Sequence, residues 1–369
     1  MTSTFTPKSI ATTLLALSFC FGTTIATAQT SLTAADQSAA PAVTPSATTP
    51  GKSGFLDRAD VRNFITEMTT RLNLPISELE LALGTVEPIP QVIDLIKPPS
   101  NPGVRSWKRY RSRFLDHIRI SGGQRFMAEN MAALKAAEEQ FGVPKEIIVA
   151  IIGVETVYGR NTGNFNTVAA LATLAFDYPP RAELFRRELE SLFLLAHERG
   201  VNALDFKGSY AGALGLPQFL PSSVRAFAVD FDHDGVIDLR NSPTDAIGSV
   251  ASYLSQNGWQ RGGRIVLRAY AKPDADLPSL LAPGILPSLT PAALSQAGVS
   301  SAGKQTDTET AALIDLITPG EPTEYWLGLQ NFYVITRYNR SSFYAMAVND
   351  LAEAFGQPAT GQNPPARHR

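Results

Sequence analysis

Between Met131 and Phe141 apolar side chains return every three or four positions, at Met131, Leu134, Ala137 and Phe141. That period is helical, and Gly142 supplies the stop. Pro144 opens the next element, at a helix start where its missing N–H does no harm. The run Ile147-Ile148-Val149-Ala150-Ile151-Ile152-Gly153-Val154 continues to Gly159 and is apolar around the whole helix, which predicts burial on nearly all sides. Thr167–Phe176 is a further such segment, ended by Pro179 and Pro180. Arg181–Arg199 reads as an amphipathic helix closed by Gly200, and Phe343, Ala347, Leu351 and Phe355 line one face of a last helix. Strand-like patterning is confined to Arg264–Ala271 and to Tyr333–Thr336 with its neighbours, and the proline-rich stretch Pro273–Pro291 reads as surface loop with short helices. The pattern predicts a mainly α (α+β) protein with a small β part and no repeat at a fixed period.

The ends of the chain follow different rules. Lys8 is the only charged residue before Asp36, the apolar run Leu14–Phe21 is broken only by Ser18, and Ala26-Thr27-Ala28 follows. A positive start, a short apolar core and an A-x-A site describe a secretory signal peptide over residues 1–28. A lipoprotein anchor at Cys20 is disfavoured, because Phe19 stands where a small residue is needed. From Ser31 to Lys52, 16 of 22 residues are Ala, Thr, Pro or Ser, so 29–53 reads as a flexible linker. A polar tail with Pro358, Pro364 and Pro365 covers 357–369, which leaves 54–356 as the folded part.

Composition narrows the chemistry. With 32 basic against 34 acidic residues in 369, the formal charge of -2 gives no basic excess for nucleic acid. The only cysteine is Cys20, inside the signal segment, so a disulfide scaffold, a thiolate metal site and a cysteine nucleophile are excluded from the mature chain. A cysteine-free secreted chain fits the periplasm.

Glu155 is the only charged residue in its apolar run, and its helical neighbours Ile151, Ile152, Tyr158 and Gly159 offer no basic partner. Burying a lone carboxylate raises its pKa, and a carboxylic acid kept protonated near neutral pH is what a general acid for glycosidic cleavage requires. The structural alternative is a distant arginine or a backbone cap. Gly153 fits a close approach by another backbone or a ligand, and Gly159 a helix C-cap. Downstream, Gly208–Ser223 is rich in glycine and proline and presents Ser209, Tyr210, Gln218 and Phe219, groups suited to sugar hydroxyls and sugar faces, with Ser222 and Ser223 capping the next helix. Asp230-Phe231-Asp232-His233-Asp234-Gly235-Val236-Ile237-Asp238 matches the first nine positions of an EF-hand calcium loop, with Asp230, Asp232, Asp234 and the Val236 carbonyl as ligands. Asn241 replaces the bidentate Glu. Ser242-Pro243-Thr244-Asp245 is a capping box.

Val154-Glu155-Thr156-Val157-Tyr158-Gly159, the Gly208–Ser223 loop with its Gln-Phe-x-Pro-Ser-Ser ending, and Asp245-Ala246-Ile247-Gly248-Ser249 resemble the membrane-bound lytic murein transglycosylase B family, glycoside hydrolase family 103. The resemblance spans about residues 54–356. It implies a lysozyme-like helical catalytic core with an EF-hand-like calcium loop, a periplasmic setting and peptidoglycan glycan strands as substrate. It further implies structural Ca2+ closed by Asp245, a monomer, and cell-wall synthesis or division proteins as partners. Residue by residue it places Glu155 on the catalytic acid and Ser209 beside it. Tyr158, Tyr210, Gln218, Phe219, Arg181, Tyr338 and Asn339 fall along the glycan site. Pro180 departs from an arginine and Pro217 from a small residue. The implied reaction leaves 1,6-anhydro-MurNAc ends. The rivals are a hydrolytic muramidase, with Asp177 as its second carboxylate, and a catalytically inactive calcium-dependent peptidoglycan-binding protein.

Overall fold

The structure is a computed structural model that describes residues 54–98 and 103–356. The segments expected as signal peptide (with Cys20), linker and tail lie outside the described residues. Two apolar helices organise the rest. Lys145–Thr156 buries nine of its twelve residues and Thr167–Asp177 nine of its eleven, which is why neither sequence has a polar stripe. Each fully buried Val, Ile or Leu adds about 1.5–3 kcal/mol of transfer free energy, so both helices belong in the interior.

Around the first helix pack His117–Glu129, Met131–Phe141, Pro243–Gln256 and Ser342–Phe355. Around the second pack Ile76–Thr85, Pro90–Ile96 and Ala182–Arg199. The two apolar cores meet at Tyr253 and Tyr338, which pack against both. A cleft opens along this seam.

A smaller lobe carries an antiparallel sheet in the order Val299–Ser301, Val266–Ala271, Glu324–Gly328, Ala312–Leu316. The register sets Leu267 opposite Leu327 and Leu327 opposite Leu313, so period-two alternation sends these side chains into a third core with Leu280 and Leu294. Trp326 and Ile314 point the other way, onto the helical body. The mainly helical body with a small β part is as the patterning predicts. No helix among the described residues is long and apolar enough to cross a membrane.

Tyr333–Thr336, expected as strand, lies within the helix Gln330–Tyr338. Its β-branched and aromatic residues favour strand locally, but burial of Asn331, Phe332, Val334 and Ile335 selects a helix. The Asn331 amide fixes its start, donating to the Gln260 and Gly263 carbonyls at 2.9 Å each and accepting from Gln260 N at 2.7 Å. Three of the four strands lie in segments whose patterning gives no strand signal.

Candidate active site

Glu155 occupies the last turn of the helix Lys145–Thr156. The turn is held by Val157 N–H donating to Gly153 O at 3.2 Å, with Val157 and Tyr158 both left-handed at φ 52° and 60°. For a β-branched residue that conformation stores about 1–3 kcal/mol of strain, which the surrounding packing must over-determine. Thr156 does part of this: its Oγ1 donates to Leu216 O at 2.9 Å and accepts from Gly159 N at 3.1 Å. The helix therefore ends at Val157, two residues before the cap expected at Gly159.

The space over Gly153 is filled from within the chain. A Cβ there would lie 2.4 Å from the Tyr158 hydroxyl, so glycine is required by the Tyr158 ring and not by a ligand. Tyr158, which the resemblance puts along the glycan site, donates to Arg119 O at 2.7 Å and is not among the residues lining the cleft.

No basic side chain pairs with Glu155 among the described residues. Its partner is Tyr344, whose hydroxyl donates to Glu155 Oε1 at 2.7 Å. Burial pushes the carboxyl from 4.5 up to about 7, and the Tyr344 hydrogen bond pulls in the opposite direction without matching it. Glu155 is only half-buried, so the acid remains reachable from the cleft. Tyr344 itself, 2% exposed, has a phenol pushed well above its ordinary value and stays a donor through neutral pH.

The sign of the Tyr344 bond is testable. It favours the ionised carboxylate, so Tyr344→Phe is expected to raise the Glu155 pKa by about one unit and extend activity on the alkaline side. A pH–rate profile whose alkaline limb stays in place or moves to lower pH would contradict this.

The cleft is lined by Arg181, Leu184, Phe185, Gln218, Phe219, Leu220 and Ser223. Tyr253, Arg337 and Tyr338 also border it. Tyr338 runs nearly parallel to Tyr344 at 6.5 Å and donates to Pro217 O at 2.5 Å. Phe219 packs against Tyr253 and Tyr338 at 5.5 and 5.7 Å. Among the described residues lining the cleft, Glu155 is the only carboxylate. Asp177, the candidate second carboxylate, is instead paired with Arg58 at 2.5 Å.

The other predicted residues fall in graded positions. Gln218, left-handed at φ 53°, donates through Nε2 to Gly215 O at 2.9 Å and Thr162 O at 3.2 Å. Arg181 stacks over Phe185 at 5.5 Å. Ser209 Oγ accepts from Ala213 N at 3.0 Å and Ala211 N at 3.3 Å, bracing its own loop, while Tyr210 is buried beneath it. Asn339 is buried, and its side-chain oxygen has no hydrogen-bond partner among the described residues. Tyr344, Tyr253 and Arg337 were missed in the sequence. Tyr344 and Tyr253 lie on helices that read as ordinary core, and nothing in their local pattern announces the cleft.

In the acidic loop, carboxylate oxygens of Asp230, Asp232 and Asp245 come within 4.8 Å of one another. Asp245, 1% exposed, accepts from Phe231 N and Asp238 N, each at 2.8 Å. Asp234 is outside this cluster; its Oδ1 takes the Val236 amide at 2.8 Å. Ser242 caps the helix Pro243–Gln256, accepting from Asp245 N at 3.2 Å. Just after this loop, Leu239 O accepts from Leu216 N at 2.7 Å.

A helical body with one reachable carboxylate, raised by burial, in an aromatic cleft is the arrangement that a glycan-cleaving enzyme of the single-acid kind would use. Comparison with known proteins specifies it. Residues 57–353 match the transglycosylase SLT domain family. Membrane-bound lytic murein transglycosylase B of Escherichia coli (strain K12) is 39% identical over 309 residues, 81% of this chain and 83% of that protein. The soluble lytic transglycosylase SltB1 of Pseudomonas aeruginosa superposes with a TM-score of 0.75 at 45% identity, over 80% of this chain and 98% of that one. The Escherichia coli lytic transglycosylase Slt35 in complex with calcium gives a TM-score of 0.72 at 38% identity, over 82% and 94%. The chain belongs to this family of lytic transglycosylases.

Proposed function

We propose that the protein cleaves the MurNAc-β-1,4-GlcNAc bond of peptidoglycan in the periplasm, with Glu155 as both acid and base. Glu155 protonates the departing glycosidic oxygen, and the cation left at C1 is stabilised by the sugar's own N-acetyl oxygen. The Glu155 carboxylate then takes the C6 hydroxyl proton as O6 bonds to C1. The acid is restored, no water is consumed, and the product ends in 1,6-anhydro-MurNAc. The observation that carries this reading is the absence of a second carboxylate from the described cleft lining, since ordinary retaining and inverting glycosidases need two. Tyr344 holds Glu155 in place. Asn339, with its unpartnered side-chain oxygen, is assigned to the N-acetyl group, whose N–H is a matching donor. Gln218, Phe219, Tyr338 and Arg181 border the strand, and Ser209 and Tyr210 support the loop. The test is to digest purified peptidoglycan and weigh the fragments. Ends lighter by one water are expected; reducing ends would make the protein a muramidase, and no fragments a binding protein.

We infer that the acidic loop holds a structural calcium ion. The donor set is entirely oxygen, which suits a hard cation. Asp230, Asp232 and Asp245 are its carboxylate ligands, and the Val236 carbonyl and Asp234 complete the EF-hand-like reading of the sequence. The ion would neutralise clustered charge and tie the loop together; it takes no part in the bond cleavage. Adding Ca2+ to a hundred times its dissociation constant should stabilise the chelated protein by about 2.7 kcal/mol. Thermal melts with chelator, Ca2+ and Mg2+ measure this, and a melting temperature indifferent to Ca2+ would remove the assignment.

A further inference from the structure

The side-chain amide of Gln218, which lines the cleft, has a polarity that its surroundings decide. Its nitrogen donates to Gly215 O at 2.9 Å and to Thr162 O at 3.2 Å. A carbonyl can only accept, so the nitrogen faces both of them. Oε1 is left as an acceptor that has no hydrogen-bond partner among the described residues.

Both carbonyls sit on irregular backbone, and both segments are pinned by one dipeptide, Leu239-Arg240. Gly215 packs so closely that a Cβ on it would overlap Leu239 O, and the next amide, Leu216 N, donates to that same oxygen at 2.7 Å. Thr162 precedes Gly163, whose carbonyl takes Arg240 Nη1 at 3.0 Å. The same nitrogen donates to Lys207 O at 3.1 Å, and Nη2 donates to Asn164 Oδ1 at 2.9 Å. Lys207-Gly208 pairs with Phe165-Asn166 in a ladder of two residues a side, too short to hold its segments together alone. The arginine fork reaches both sides of it. A Cβ at Gly163 would overlap Gly208 O and Ser209 N, so the joined segments touch at this point. All three acceptors are neutral oxygens, so the guanidinium acts here as a planar set of donors at fixed angles.

We propose that Arg240 is a positioning residue: by joining the 162–164 backbone to Lys207 it holds Gln218 with Oε1 as a fixed acceptor for an N–H or O–H of the glycan. This rests on the lytic transglycosylase reading. The probe is a soluble peptidoglycan glycan chain of defined length, with Ca2+ held constant. Anhydro-ended product is counted by mass spectrometry well below each variant's melting temperature. Arg240→Ala leaves the backbone bond from Arg240 N to Asp238 Oδ1 in place. It should raise KM about tenfold while kcat changes less than about twofold, because a binding contact is loosened and the acid is not. The alkaline limb of the pH profile, set by Glu155, should stay where it is. Gln218→Ala should raise KM at least as much, and adding Arg240→Ala to it should raise KM no further. Arg240→Lys keeps the charge but not the fork, and should share the KM defect. An unchanged KM with a lowered melting temperature overturns the proposal in favour of simple structural support. Additive KM effects overturn it because Arg240 would then not act through Gln218, and full recovery by lysine overturns it because charge alone would suffice. Absence of anhydro ends from the unaltered protein is the separate result that removes the underlying reading, and this role with it.

Discussion

Glu155→Gln is expected to lose anhydro-MurNAc formation by at least about 10²–10⁴-fold, the range that a positioned general acid contributes. No second carboxylate among the described cleft residues can take over proton transfer, and Tyr344, its hydrogen-bonded neighbour, has a phenol pushed well above neutral pH. The same substitution should stabilise the fold at neutral and alkaline pH. In the folded state the carboxyl sits at about 7, above its ordinary 4.5, so the unfolded chain releases its proton first as pH rises. Stability is therefore lost between those two values, by up to about 3 kcal/mol once both are passed. Glutamine carries no charge and escapes that loss. Activity assays with urea melts at pH 4.5 and 8 test both halves. A variant that stays active removes Glu155 as the acid, and one no more stable at pH 8 than the parent removes the buried-charge argument.

Asp245→Ala is expected to cost about 3–5 kcal/mol of stability, among the largest effects available to one side chain. Its two oxygens satisfy the amides of Phe231 and Asp238 in a buried setting, so truncation strands both donors. It also strips compensating charge from Arg199, whose guanidinium is desolvated nearby and feels Glu198, Asp245 and Asp238. Calcium-dependent stabilisation should vanish with it. Asp245→Asn keeps one acceptor and the shape, and should fall between the two. Urea unfolding with and without Ca2+ gives both numbers. An alanine variant as stable as the parent would show that the loop does not depend on this carboxylate.

Several features of the site were legible because they are local. A lone glutamate in an unbroken apolar run is costly to bury, and the structure keeps it unpaired by any cation among the described residues. The Asp-x-Asp-x-Asp-Gly spacing brings Asp230 and Asp232 together by turn geometry alone. Ser242 and Pro243 cap their helix as their chemistry requires. Errors arose where a local preference competed with a distant partner. Tyr333–Thr336 has strand-forming residues, yet burial on one face makes it helix. Gly153 fits a close approach by a backbone or a ligand, but what comes close is the Tyr158 side chain. Asp177 looked available for chemistry until Arg58, 119 residues earlier, claimed it.

The chain by itself determined the helical body, the identity of the buried acid and the acidic turn, because periodicity, an isolated charge and short-range spacing are properties of neighbouring residues. Only the tertiary structure decided that Tyr344 holds Glu155 across 189 residues and that Glu188, from another helix, caps Pro221–Phe227 through Ser222. Each is a contact between separate elements, made by packing and invisible to any local pattern.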